Sequence, residues 1–215
     1  MKPVTRALAI VALGLSTCAQ AVVLPIGVTP LSGTTVAADP QLAGTVLEDV
    51  ITPFSFSAGG GTIFGTVQSR VVRSSVDNTL DFYWRVINAP NSSGAISSFR
   101  LGNFFAPVYD ADYRIDGEGD VAPDAARRFS TPNVNFLFGE LGGSTLGPGA
   151  GSNFMFLDTN MYFYARLASY DLVATDGGIS GTFSTFLPVP EPGSIALLAG
   201  GMGLLALGRR RRAGR

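Results

Sequence analysis

The side chains best suited to chemistry in this 215-residue chain are carboxylates, gathered most densely in Asp110 to Asp124, DADYRIDGEGDVAPD. Asp110, Asp112, Asp116, Glu118 and Asp120 could offer hard oxygens to calcium, which takes about six to eight of them. The EF-hand register fails: a loop starting at Asp110 puts Arg114 at its fifth position and Ile115 where glycine is needed, and one starting at Asp116 puts Val121 there. An irregular calcium site and a solvated acidic loop remain as readings of this stretch. Paired carboxylates could also act as acid and base in glycoside hydrolysis, a use that needs a separation of roughly 5–10 Å in space.

Other chemistries are closed off by what is missing. Histidine is absent and Cys18 is the sole cysteine. With Cys18 in a leader that is removed, the mature chain has no disulfide, no Cys/His zinc site, no thiol nucleophile and no histidine base. No serine stands in a nucleophile-elbow pattern. We therefore assign no catalytic residue, no metal ligand and no cofactor, and expect a protein that is not an enzyme. Aromatic rings are the other resource: Tyr83, Trp84, Phe104, Phe105, Tyr109, Tyr113, Tyr162, Tyr164 and Tyr170. Rings on an exposed sheet face could stack on sugars. Trp84, however, shares its face with Leu80, Phe82 and Val86, the spacing of a core strand.

The elements that must position these groups read as strands. Thr79 to Asn88, TLDFYWRVIN, alternates Leu80, Phe82, Trp84 and Val86 with Asp81, Tyr83, Arg85 and Ile87. Thr62 to Arg73 is a second long strand, and Ser74 to Asn78, SSVDN, joins the two as a hairpin. Shorter strands are expected at Thr45 to Ile51, Ala95 to Leu101, Asn133 to Phe138, Asn153 to Asp158, Met161 to Ser169 and Ile179 to Leu187. Breaks fall at Gly59 to Gly61, Asn88 to Gly94, Gly139 to Gly151 and Asp176 to Gly178. Ala122 to Phe129 reads at most as a short helix after Pro123. The fold class is all-β: a single β-sandwich or jelly-roll-like domain.

Both ends look like addresses. Lys2 and Arg6, the apolar run Ala7 to Leu15 and the site Ala19-Gln20-Ala21 make residues 1–21 a secretory signal peptide. Leu15 to Cys18 resembles a lipobox, with Thr17 where a smaller residue is preferred. The body, residues 22–188, carries eight basic residues against fifteen acids, a net charge of −7, which argues against nucleic acid as partner. Residues 189–215 read VPEPGSIALLAGGMGLLALGRRRRAGR. Ser194 to Gly208 has no charge and would make about 22 Å of helix, short of a ~30 Å hydrocarbon core but able to span by local thinning. Arg209, Arg210, Arg211 and Arg212 would stay on the cytoplasmic side, leaving the body outside.

Val189-Pro190-Glu191-Pro192, a short apolar helix and a terminal arginine cluster together resemble the PEP-CTERM sorting signal of Gram-negative bacteria. The resemblance covers about 27 residues and implies an exosortase, an integral-membrane enzyme, as processing partner. It implies that Pro190, Glu191 and Pro192 are the recognised motif, Ser194 to Gly208 a transient membrane anchor and Arg209 to Arg212 the stop. The expected life of the protein is then an inner-membrane-anchored precursor, later released to the cell surface or medium. For the body we expect a structural or adhesive role in the extracellular matrix, with a polysaccharide- or calcium-binding module as the alternative and a carboxylate-dependent glycoside hydrolase third. Exopolysaccharide is the candidate partner.

Overall fold

The computed structural model describes residues 22–106, 109–130, 132–190 and 193. The signal peptide, the apolar run from Ser194 and the arginine cluster lie outside the described residues. Those described form twelve strands and one short 3₁₀ turn, Pro40–Leu42. The first six strands are β1 (Val22–Val23), β2 (Gly27–Pro30), β3 (Gly44–Ala58), β4 (Gly61–Ser74), β5 (Leu80–Asn88) and β6 (Ile96–Gly102). The rest are β7 (Tyr109–Tyr113), β8 (Ala125–Arg128), β9 (Val134–Leu137), β10 (Met155–Thr159), β11 (Phe163–Ala174) and β12 (Phe183–Val189). They build two six-stranded sheets, the first in the order β1-β7-β10-β5-β4-β3 and the second β12-β11-β6-β9-β8-β2. Every strand pairing is antiparallel, so the all-β reading holds.

The sheets face each other because alternation gives each strand one apolar side. Ile63, Val67 and Val71 of β4 and Leu80, Phe82, Trp84 and Val86 of β5 meet Phe99, Leu101, Val134, Phe136 and Leu172 from the other sheet in one buried core. An aromatic seam runs through it. Tyr109 meets Phe104 at 5.7 Å, Phe104 meets Trp84 at 6.0 Å, Trp84 meets Phe99 at 5.8 Å, and Tyr170 stacks on Phe99 at 5.2 Å and on Phe183 at 5.3 Å. Each such pair adds about 0.5–1.5 kcal/mol beyond the area it buries. The Trp84 indole N–H, fully removed from water, donates across the sandwich to Thr185 Oγ1 at 2.8 Å. That bond satisfies a donor that would otherwise be stranded.

The expected β4–β5 hairpin is present, with Arg73 opposite Leu80. The glycine break before β4 is itself a tight hairpin: Ala58 pairs with Gly61, and Gly59 and Gly60 have φ of 64° and 71°. Two successive left-handed residues suit the strand twist and need glycine. Two expectations need correcting. Ala122 to Phe129 holds strand β8, not a helix: Ala125 and Ala126 are small enough to lie fully buried between β2 and β9, and that packing overrides alanine's helical preference. The strand expected over Thr45 to Ile51 runs on through Pro53 to Ala58, because β3 is an edge strand and proline's missing N–H costs nothing on an unpaired side.

Trp84→Ala is expected to destabilise the domain by about 3–5 kcal/mol, and Thr185→Val, which strands the indole donor, by about 1–3 kcal/mol. Urea unfolding followed by tryptophan fluorescence for the second variant and by circular dichroism for the first measures both.

Candidate functional site

The outer face of the first sheet, turned away from the core, carries two groups of charged side chains. Part of it is roofed by Thr34 to Ala43, whose Val36 and Leu42 pack on Val72, Tyr83, Phe154 and Phe156. Tyr83 Oη donates to the Leu42 carbonyl at 3.4 Å. Two unlike groups of side chains flank this small second core.

The first group is a row of aspartates. Asp81 on β5 is paired in register with Asp158 on β10, and Asp158 in turn with Asp110 on β7. Directly opposed residues on adjacent strands lie about 4.5–5.5 Å apart at Cβ, so three like charges would stand side by side. Asp81 is completely buried, and apart from the carboxyl of Asp158 no donor reaches either of its oxygens. Burial pushes the Asp81 carboxyl far above the usual carboxylate range, and the neighbouring Asp158 pushes it the same way. Burial also raises Asp158, with the charge of Asp110 adding to the effect. Without another positive partner the pair holds one proton between them, as like charges this close cannot both ionise cheaply. A cavity of about 280 Å³ opens beside them, walled by Gln41, Asp77, Thr79, Asp110, Asp158 and Asn160 among others.

The second group is basic. Arg70 lies 4.8 Å and Arg85 5.9 Å from the centre of the Phe154 ring, and both are close enough for cation–π attraction. With Arg114 and Tyr83, Arg70 and Phe154 line a cavity of about 270 Å³. Each arginine also has an acid: Arg70 meets Asp49 at 2.7 Å, Arg114 meets Asp116 at 2.5 Å, and Arg85 contacts Glu118. The basin is thus partly neutralised, yet its guanidinium groups are fixed around an aromatic ring.

The acidic stretch Asp110 to Asp124 is neither one loop nor one site. Its start is strand β7, and its carboxylates disperse to separate structural partners. Asp112, buried, accepts from the N–H groups of Gly33 at 2.8 Å and Tyr113 at 2.9 Å. Asp116 accepts from Val36 N–H, Asp120 from Gly151 N–H, and Asp124 from Glu140, Leu141 and Gly143 N–H. These acids staple loops to the sandwich. The aromatic residues divide similarly: Tyr83, Trp84, Phe104, Tyr109 and Tyr170 are buried, while Phe105 and Tyr162 are exposed. Alternation placed Asp81 on the outer side of β5, but only the cross-strand register, which no local pattern reveals, sets it against Asp158.

Of the residues assigned to sorting, Pro190 is described and exposed, directly after β12; Glu191, Pro192 and Arg209 to Arg212 lie outside the described residues. Among the described residues no helix is long and apolar enough to cross a membrane. The fold so far defines an all-β, two-sheet protein. Residues 188–212 match the PEP-CTERM protein-sorting motif. The chain therefore carries a PEP-CTERM sorting domain, which marks it as an exosortase-sorted extracellular or surface protein. No curated protein and no solved structure matches the chain.

The raised carboxyls set a pH dependence. Their folded pKa values exceed the unfolded one, so above the ordinary carboxylate range, about pH 4, the folded state binds more protons and stability falls as pH rises. In chelator, Asp81→Asn is expected to melt higher than wild type at pH 8, by at least ~2–4 °C, with the gap narrowing towards pH 4. Thermal unfolding across that pH range measures it.

Proposed function

We propose that the body is a structural or adhesive component of the extracellular matrix, delivered by its sorting domain and acting without catalysis. The observation that carries this reading is the direct continuation of edge strand β12 into the sorting motif: the match begins at Pro188, which still pairs with Tyr164. What is delivered is a sandwich whose large rings are mostly consumed in holding its sheets together. The cross-strand carboxylate pair Asp81 and Asp158 has one member wholly shielded from solvent, a poor arrangement for protonating a glycosidic oxygen. The chain also has no histidine to serve as a base.

A second reading rests on the arginine basin. Guanidinium groups held around Phe154, with Tyr83 beside them, suit an acidic polysaccharide, whose carboxylates would exchange with Asp116 and Glu118 on the arginines. Affinity electrophoresis through the host's own exopolysaccharide separates the two readings. Unretarded migration favours the structural module; retardation that Arg114→Ala reduces severalfold favours the binding module. Release of reducing ends from the same polymer would refute the non-catalytic reading.

The sorting residues are tested in the cell. Glu191→Ala is expected to leave the protein in the membrane fraction while wild type reaches the surface or medium. A variant that arrives in the medium with the wild-type C-terminus would remove Glu191 from the recognition set.

A further inference from the structure

Four separate stretches of chain bring apolar side chains to one end of the sandwich. Ile26 lies between β1 and β2, Phe105 between β6 and β7, Phe129 between β8 and β9, and Pro190 directly after β12. With Pro132 and Arg128 they line one groove of about 480 Å³. Ile26 is 70% exposed, Phe105 60% and Phe129 38%. Exposed apolar residues are ordinary when scattered, but these share a rim. That rim is built into the fold. Phe104 N–H donates to the Pro132 carbonyl at 2.8 Å, tying two of the stretches together, and the Phe104 ring is buried against Tyr109, which leaves the next ring, Phe105, facing water. Among the described residues lining the groove only Arg128 is charged; it lies 4.5 Å from the centre of the Tyr109 ring and donates to the Leu24 carbonyl.

We propose that this end of the sandwich docks on the surface of a lipid bilayer, with Ile26, Phe105 and Phe129 entering the interface beside the sorting tail. The proposal rests on the reading of Ser194 to Gly208 as a membrane anchor. With that anchor in place, reach decides the geometry. Residues 190–193 span at most about 14 Å, and the headgroup layer on one side of a bilayer is about 5–8 Å thick. Even on a fully extended tether Pro190, in the wall of the groove, stands no more than ~9 Å outside the headgroups. Protruding aromatic and aliphatic side chains suit that boundary, where they exchange water for the outer acyl region. Apolar contact makes the attachment, because the body is net acidic and the aspartate cavity adjoins the groove across Tyr109, which lines both. A bilayer with neutral headgroups is thus the surface that fits. The tail itself is a poorer occupant, since a groove of about 480 Å³ takes a few side chains and not an uncharged run of 15 residues.

The test uses the chain exported by a host that lacks an exosortase, so that the tail is retained, and reconstituted into phosphatidylcholine vesicles brominated near the head of the acyl chains. Flotation with the vesicles reports the anchor, and quenching of tryptophan emission by the bromines reports contact with lipid. Wild type sets the baseline, because its sole tryptophan, Trp84, is buried in the core. Phe105→Trp and Phe129→Trp, each at an exposed position, are expected to be quenched severalfold more than Leu141→Trp, an exposed position beyond the opposite end of β9 from Pro132. Flotation with equal quenching at all three positions overturns the docking and leaves the anchor standing. Blue-shifted emission from Phe105→Trp without quenching overturns it too, because the groove is then covered by the tail or by a second copy of the chain. A chain that does not float with the vesicles refutes the anchor, and the docking falls with it.

Discussion

The hydrogen bond from Trp84 to Thr185 is the constraint on which the rest of this fold is hung. It joins the central strand of one sheet to the edge strand of the other, at a depth where neither group sees water. An indole so placed must have a partner, so the sheets can slide past each other only by breaking it. The aromatic seam on either side turns that single fixed point into a line. Phe104 and Tyr109 extend it towards β7, and Phe99, Tyr170 and Phe183 towards β12. Sheet one is thereby committed to present Asp81, Tyr83 and Arg85 outward, since the side chains between them point in.

That outward face is divided by charge. A small apolar cluster under the Thr34 to Ala43 segment separates the aspartate row from the arginine basin. The two halves are built differently. In the basin each cation has a carboxylate within reach, and Arg70 and Arg85 also lie against the Phe154 ring, so its charges cost little to maintain. In the row, like charges are stacked across three strands and one is sealed from water, an arrangement that folding alone does not favour. The face thus pairs a region neutralised by ion pairs with one neutralised by a proton held between carboxyls.

How much of this could be read from the chain depended on whether the information was local. β4 and β5 declare themselves because two-residue alternation is a property of each strand alone, and the turn SSVDN between them is equally local. The sorting motif is legible for the same reason, since its three parts are contiguous. β8 was hidden because its alanines favour helix and become a strand only when β2 and β9 close on both sides. The acidic stretch reads as a cluster because its members are neighbours in sequence, although Asp116, Asp120 and Asp124 reach for different stretches of backbone. The reverse holds for Asp81, Asp158 and Asp110, which are far apart along the chain and adjacent only through register.

The junction between β12 and the sorting motif also fixes how much chain a processing enzyme can grasp. Val189 is still paired with Phe163, and the uncharged run starts at Ser194, so the four intervening residues span at most about 14 Å. An enzyme working there has a folded wall on one side and must fit its contacts into that gap. Any longer grip has to be taken from the sheet by unzipping β12 from β11. Pro188 weakens that end of the ladder, because it cannot donate to it. The sandwich therefore limits the chain between its last paired residue and the uncharged run to residues 190–193.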